Sequence, residues 1–190
     1  VVGAATYRSE WTVDQQNYFY RGSKRLVITI NDQIPGPMIS VYEGDKIEIF
    51  VQNVLITAAT TIHWHGMDQR GTNFMDGVPD VTECGIKPNS NFTYVFDAIP
   101  AGTHWYHSHS GAQYMDGHFG PMIIRSRDDP QKSLYDSDSD DHVIILNDWF
   151  DDPGEELIID LINGLFTGGP VSDIPFDQAL VNGYIGKYTG

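Results

Sequence analysis

Cysteine and positive charge are both scarce in this sequence. A single cysteine, Cys84, excludes any internal disulfide. Eleven Lys and Arg stand against 26 Asp and Glu, giving a net charge of -15 and a pI near 4.5. Nucleic-acid binding is therefore excluded, because it needs clustered Lys and Arg to meet phosphate. The acidic balance attracts cations weakly and keeps the protein dispersed, but it names no substrate. No apolar run approaches the roughly 18 to 20 residues of a membrane span, and there is no low-complexity tract, so a soluble globular protein is expected. Val1-Val2-Gly3 carries neither a basic n-region nor an apolar h-region, so a signal peptide is expected to have been removed already or never to have existed. The sequon Asn91-Phe92-Thr93 permits N-glycosylation on entry to the secretory pathway, and secretion is the expectation.

What the chain does have is strand patterning with turn punctuation. Strands are expected at 7–13, 18–20 and 26–30, with Arg21-Gly22-Ser23-Lys24 as a hairpin connection. Asn31-Asp32-Gln33 and Pro35-Gly36-Pro37 are turn signals. Segments 39–42 and 46–53 read as a strand pair around Glu43-Gly44-Asp45, with Ile47, Ile49 and Val51 sharing one face. Further strands fall at 61–65, 91–96, 104–109 and 120–125, and residues 66–90 form a long loop of the kind that usually has a function. Short strands at this spacing predict an all-β sandwich or barrel over residues 1–126.

An acidic linker, 127–141, comes next. Its aspartates match the start of an EF-hand loop, but the sixth position is Asp141 instead of Gly and the twelfth is Asn147 instead of Glu, so calcium is rejected and a solvated, extended connector is expected. Residues 142–147 read as a buried strand. Asp152-Pro153-Gly154-Glu155-Glu156 opens a short helix, with Leu157, Ile158, Leu161 and Ile162 along one face. The loop at Gly168-Gly169-Pro170 and the strand and turn at 179–183 come after it. The stretch 142–190 is too short for a second sandwich of about 100 residues and reads as the truncated beginning of one.

The chemistry lies in Thr61-Ile62-His63-Trp64-His65-Gly66 and in His104-Trp105-Tyr106-His107-Ser108-His109. Alternate residues of a strand share a face at about 6.6 to 7 Å, so each His-x-His offers two imidazoles to one side. Were the two strands neighbours, the four rings would outline a rectangle of about 5 by 7 Å, which suits a cluster of metal ions better than one ion. Neutral imidazoles favour copper or zinc. His104 lies three before His107, on the opposite strand face, where a hydrogen-bonding role is expected. His118 and His142 have no partner spacing and read as surface or packing residues, and Trp64, Trp105 and Tyr106 as core or cluster wall.

At these motifs the chain resembles the multicopper oxidases, and among them the laccases and ferroxidases built of three cupredoxin-like domains. The resemblance rests on 31–37, 61–71, Met75-Asp76-Gly77-Val78-Pro79, Thr82-Glu83-Cys84-Gly85-Ile86, 102–111 and Asp116-Gly117, with Asn147-Asp148-Trp149 and Val181-Asn182-Gly183 resembling the opening of a second domain. It implies a cupredoxin-like Greek-key β-sandwich followed by a partial second cupredoxin-like domain. It also implies half the ligands of a trinuclear copper cluster, with His63 on the type 2 copper and His65, His107 and His109 on the type 3 pair. Asp76 matches the family aspartate that assists proton delivery as O2 is reduced, although Asp76-Gly77 also has the composition of an ordinary turn. Cys84 matches a family cysteine often bonded to a distant domain.

The family's type 1 copper, held by a Cys and two His of the last domain, has no counterpart here. The implied function is thus the N-terminal portion of an oxidase that takes single electrons from phenols, aromatic amines or a metal ion. Its partners would be the remainder of the same oxidase, and the chain would be inactive alone. Two alternatives stand beside it: a non-catalytic copper-binding or structural cupredoxin module, and a zinc hydrolase with an open position for water.

Overall fold

The long loop after the first histidine motif folds back on the strand it leaves, with Gly77 against the Ile62 carbonyl, at the side of two four-stranded sheets. The structure, a computed structural model, describes residues 4–20, 23–166 and 176–185. One sheet contains β1 (Thr6–Tyr20), β2 (Ser23–Ile30), β4 (Lys46–Asn53) and β6 (Asn91–Asp97), in the order β2-β1-β4-β6. The other contains β3 (Ile39–Tyr42), β5 (His63–His65), β7 (Gly102–His107) and β8 (Phe119–Arg125), in the order β3-β8-β7-β5. The sheets make a sandwich and do not close into a barrel.

Two local expectations are corrected. Residues 6–20 form one continuous strand, not two. Its first half pairs in parallel with β4 and its second half antiparallel with β2, so one backbone serves both neighbours. The turn at Arg21-Gly22 lies outside the described residues. Strands β3 and β4 are not a pair either. β3 runs parallel to β8 and β4 pairs with β1 and β6, so the Glu43-Gly44-Asp45 turn carries the chain from one sheet to the other. Alternation fixes which face of each strand is buried, but not which strand lies beside it.

Ile47, Ile49 and Val51 are fully buried on one face of β4, as the alternation requires. They meet Trp11, Trp64, Tyr94, Phe96 and Tyr106, an aromatic core in which Trp11 lies 4.7 Å from Tyr106 and Trp64 4.9 Å from Phe96 between ring centroids. Burying an aromatic side chain contributes about 1.5–3 kcal/mol, so this cluster is the main weight holding the two sheets together. Trp64 and Tyr106, the residues between the histidines, are the inward half of the same alternation that turns His63, His65 and His107 the other way.

Residues 126–148 are exposed or half-buried but are tied down. Arg125 holds Asp138 and Asp140 at 3.0 Å each, and Ser40 Oγ donates to Asp140, so the segment is not the free extended connector expected. A third sheet, β11-β10-β9, lies further along the chain: β9 (Leu146–Trp149), β10 (Gln178–Val181) and β11 (Tyr184–Ile185). The buried strand expected at 142–147 is displaced. Asp140–His142 is a 3-10 turn, the strand begins at Leu146, and Ile144 and Leu146 are 68% and 69% exposed, because an apolar run alone does not say what covers it.

The helix α1 (Gly154–Phe166) starts as expected, but it is only partly covered: Leu157, Ile158 and Leu161 are half-buried, and Ile162 is exposed. The loop expected at Gly168-Gly169-Pro170 lies outside the described residues.

Candidate metal centre

β5 and β7 are antiparallel neighbours, with His63 opposite His107, Trp64 opposite Tyr106 and His65 opposite Trp105. The ligand nitrogens of His63, His65 and His107 all lie within 4.8 Å of one another. The expected rectangle is therefore staggered: the partner of His65 is Trp105, and His109 lies past the end of β7. The stagger follows from the antiparallel register, which sets His65 against Trp105 once His63 faces His107; β7 ends at His107, and Ser108 N–H bonds the carbonyl of His118. His109, exposed at the rim, has its ring centroid 5.6 Å from that of His63 and 6.1 Å from that of His107.

The hydrogen bonds decide which nitrogens are free. His63 Nδ1–H donates to the main-chain carbonyl of Asp76 at 2.7 Å, and the Asp76 carboxylate stands 3.4 Å from the same nitrogen. His107 Nδ1–H donates to the Ser108 carbonyl at 2.8 Å. Both rings thereby keep a lone pair on Nε2, the arrangement typical of a metal-binding histidine whose other nitrogen is fixed by a carbonyl. His107 Nε2 faces His65 Nδ1 at 3.4 Å, too long for a strong hydrogen bond, and two nitrogen lone pairs in that position suit a shared cation.

Burial lowers the pKa of His65, with His63 and His104 adding to the effect. Burial also pushes His107 down to about 4, the Ser108 carbonyl opposing and the neighbouring imidazoles assisting. Both rings are neutral near pH 7, the form that binds copper or zinc.

The surroundings hold this set in place. Trp105 stacks on His65 at 5.3 Å and on His107 at 4.2 Å, with interplanar angles of 25° and 24°. It is a wall of the cluster, as expected. His104 points away from the cluster and bonds Pro100 O through Nε2 at 3.1 Å, beneath Gly66, where a Cβ would collide with its ring. Gly77, with φ +78°, lets the loop lie against the Ile62 carbonyl, which brings the Asp76 carbonyl to His63.

His118 is a packing residue, fully buried, with Nδ1 3.2 Å from Thr60 Oγ1. His142 is exposed on a 3-10 turn, and Cys84 is exposed and free.

The family model for multicopper oxidases matches residues 12–129. The chain belongs to the multicopper oxidase family. It is 45% identical over 143 residues to laccase-2 of Fomitopsis schrenkii, covering 72% of this chain and 27% of that protein. To laccase-5 of Trametes villosa it is 37% identical across 100% of this chain and 34% of the relative. Among solved structures it superimposes on Fet3p, a multicopper oxidase that functions in iron import, with a TM-score of 0.80, 34% identity, and coverage of 94% of this chain and 33% of that one. The laccase of Botrytis aclada gives 0.77, 35%, 95% and 31% for the same quantities. The sandwich is thus the cupredoxin-like fold of multicopper oxidases, and the chain spans about a third of the length of these relatives. A multicopper oxidase binds copper, and the donor set of neutral imidazoles with free lone pairs fits that metal.

Two features of this multicopper oxidase chain escape a motif reading. Arg25 is buried in β2, and its only sequence signal is that it falls in phase with Val27, which packs with Trp149 and Leu180 on the side of the strand opposite Ile28 and Ile30. Glu83 sits within the 82–86 motif, yet nothing in its spacing indicates that it meets Tyr94 from a strand eleven residues later.

Proposed function

We propose that this chain is the N-terminal portion of a laccase-like multicopper oxidase that removes single electrons from phenols, aromatic amines or a metal ion and reduces O2 to water. In this reading residues 1–126 are the first cupredoxin-like domain, 127–141 connect it onward, and 142–190 begin a second one. His63 holds the type 2 copper of a trinuclear cluster, and His65, His107 and His109 hold the type 3 pair. The other half of the ligands and the type 1 copper come from the remainder of the oxidase, so this chain does not turn over by itself. Copper, when bound, supplies the electron transfer to O2. The chain's own residues orient the imidazoles and manage protons: the Asp76 carbonyl fixes the His63 tautomer, while its carboxylate, beside the same ring, is placed to receive and release a proton.

The observation that carries this reading is the convergence of nitrogens from His63, His65 and His107 within 4.8 Å, from strands some forty residues apart. Secretion and a glycan on Asn91 belong to the same proposal. Asn91 is exposed at the start of β6, an edge strand, and no described helix is long and apolar enough to cross a membrane. The test is metal analysis with electron paramagnetic resonance on the complete polypeptide, comparing wild type with His65→Ala and His107→Ala. Loss of the type 3 coppers in both variants is expected. Unchanged copper content, or zinc in place of copper, overturns the reading.

A further inference from the structure

We propose that Gln113 is a positioning residue for His109: its side-chain amide ties the approach to β5 to the turn after β7, and so holds the fourth imidazole of the cluster where strand pairing does not reach. The inference rests on the reading of His109 as a copper ligand.

Strand register accounts for three of the four rings. His63, His65 and His107 lie on paired strands, and their nitrogens gather within 4.8 Å. His109 lies past the end of β7 and is exposed, yet its ring centroid is 5.6 Å from that of His63. An exposed imidazole beyond a strand end has many conformations open to it, so holding it beside the others takes a fixing from elsewhere.

Gln113 supplies that fixing. It is buried, its Nε2 donates to the Ala59 carbonyl at 2.8 Å, and its Oε1 accepts the hydroxyls of Thr60 at 2.8 Å and Ser108 at 2.7 Å. Ala59 decides which way the amide points, since only an N–H can face a carbonyl and the reversed amide would set two acceptors against each other. Thr60 is an anchored support three residues before His63: its N–H and carbonyl exchange hydrogen bonds with Ile86 at 3.1 and 2.8 Å. The main chain of Gln113 is fixed as well. Its N–H donates to the Ser110 carbonyl, and its carbonyl accepts the N–H of Asp116 and of His118.

The consequence falls on His109. Because the Ser108 hydroxyl proton goes to Gln113, the hydroxyl oxygen turns a lone pair to Ser110 N–H at 3.1 Å, a bond that spans His109. On the other side Ser108 N–H donates to the His118 carbonyl at 2.9 Å. Without the amide the hydroxyl is free to rotate, and the turn that carries His109 loses its link to the β5 side. Gln113 has its polar atoms engaged in these bonds and acts on the cluster only through Ser108.

The test compares variants of the complete polypeptide. Gln113→Leu removes the amide at similar size, and Ser108→Ala removes only the link toward His109. Thr60→Val removes a bond of the same kind on the β5 side, where strand pairing already holds His63. In metal-free, histidine-labelled protein, NMR contacts between the His109 and His63 rings are expected in the wild type and in Thr60→Val, and are expected to be lost in Gln113→Leu and Ser108→Ala. In a copper titration against a chelator, those two should bind part of their copper about 10–100-fold more weakly, whereas Thr60→Val should lose thermal stability and keep the wild-type affinity. Should Gln113→Leu fail to fold, Ser108→Ala against Thr60→Val decides. Ring contacts that are missing from the wild type, kept in Ser108→Ala, or lost equally in Thr60→Val overturn the proposal, as does unaltered copper affinity in a wild type that binds copper and its Ser108→Ala variant. A wild type that binds no copper overturns the copper reading instead, and the ring contacts of the metal-free protein then still decide whether Gln113 positions His109.

Discussion

His63 and His107 face each other directly across the β5–β7 pair, their ring centroids 5.3 Å apart and their planes at 73°. A metal centre built on such a register pair inherits the stiffness of the sheet, because moving either ring requires breaking strand pairing instead of swinging a loop. Loops enter only as fixings, the 76–77 turn behind His63 and the Ser108 carbonyl behind His107.

The 76–77 turn can be tested by one methyl group. A Cβ on Gly77 would run into the Ile62 carbonyl and lie 2.7 Å from His63 N, at a φ of +78° that L residues rarely adopt. Gly77→Ala should push the Asp76 carbonyl off His63 Nδ1. We expect a stability loss of about 1–3 kcal/mol and a fall in copper affinity of about 10–100-fold. Thermal unfolding of the metal-free protein and a copper titration measure the two effects separately, and unaltered copper affinity would show that the carbonyl does not fix the ring.

Trp105 gives a second, independent handle. Its indole lies along both His65 and His107, so Trp105→Leu removes two stacking contacts of about 0.5–1.5 kcal/mol each. The rings then lose their lateral restraint while every nitrogen donor remains. The expected result is retained copper stoichiometry with weaker binding and broadened copper spectra. A variant indistinguishable from the wild type in a competition titration with a chelator would assign the stack to packing alone.

The histidine pairs, the inward faces of β4 and β7 and the existence of the long loop are all legible in the sequence, because period-two alternation reports directly which side chains share a face. Register is not. Alternation permits His63 to lie opposite either His107 or His109, and only the strand pairing shows that it is His107. Strand neighbours are likewise hidden: β3 and β4 are adjacent in sequence but separated in space. The exposed Ile144 and Leu146 show the converse limit, since apolar residues signal burial only where the chain supplies a covering surface. Glu83 and Arg25 were illegible for a related reason, their partners being set by tertiary contacts and not by spacing.

Arg25 clasps the first sheet to β9 and to the start of α1. Its guanidinium bonds the Asp116 carboxylate at 2.8 Å, reaches the carbonyls of Phe150, Asp152 and Met115, and lies 4.2 Å over the Trp149 ring, while Asp116 also accepts Gly154 N–H at 2.9 Å. Removing one partner of a buried pair strands the other charge. Arg25→Met should therefore cost about 3–5 kcal/mol, and adding Asp116→Leu should restore part of it. Urea unfolding of both single variants and the double variant measures the coupling, and strict additivity would mean that the pair is not the clasp.

His118 sets an acid limit of its own. The ring is fully buried, burial and the nearby His107 push its pKa down to about 3, and its Nε2 has no partner among the described residues. Thr60 sends its hydroxyl proton to Gln113 Oε1, so His118 Nδ1–H is the donor to Thr60 and the ring is neutral when folded. In the unfolded chain the same imidazole protonates near 6.5. A folded pKa below the unfolded one means that the contribution is fully present above about 6.5 and is lost as the pH falls toward 3. Across that window the unfolded state binds one more proton, so His118 alone gives a slope of about 1.4 kcal/mol per pH unit. His118→Leu gives up one hydrogen bond but removes both the orphaned nitrogen and the acid-labile group. Its stability should lie near the wild type at pH 7.5 and exceed it at pH 4.5 in metal-free protein. Parallel stability curves for the two proteins between those pH values would place the acid sensitivity in other groups.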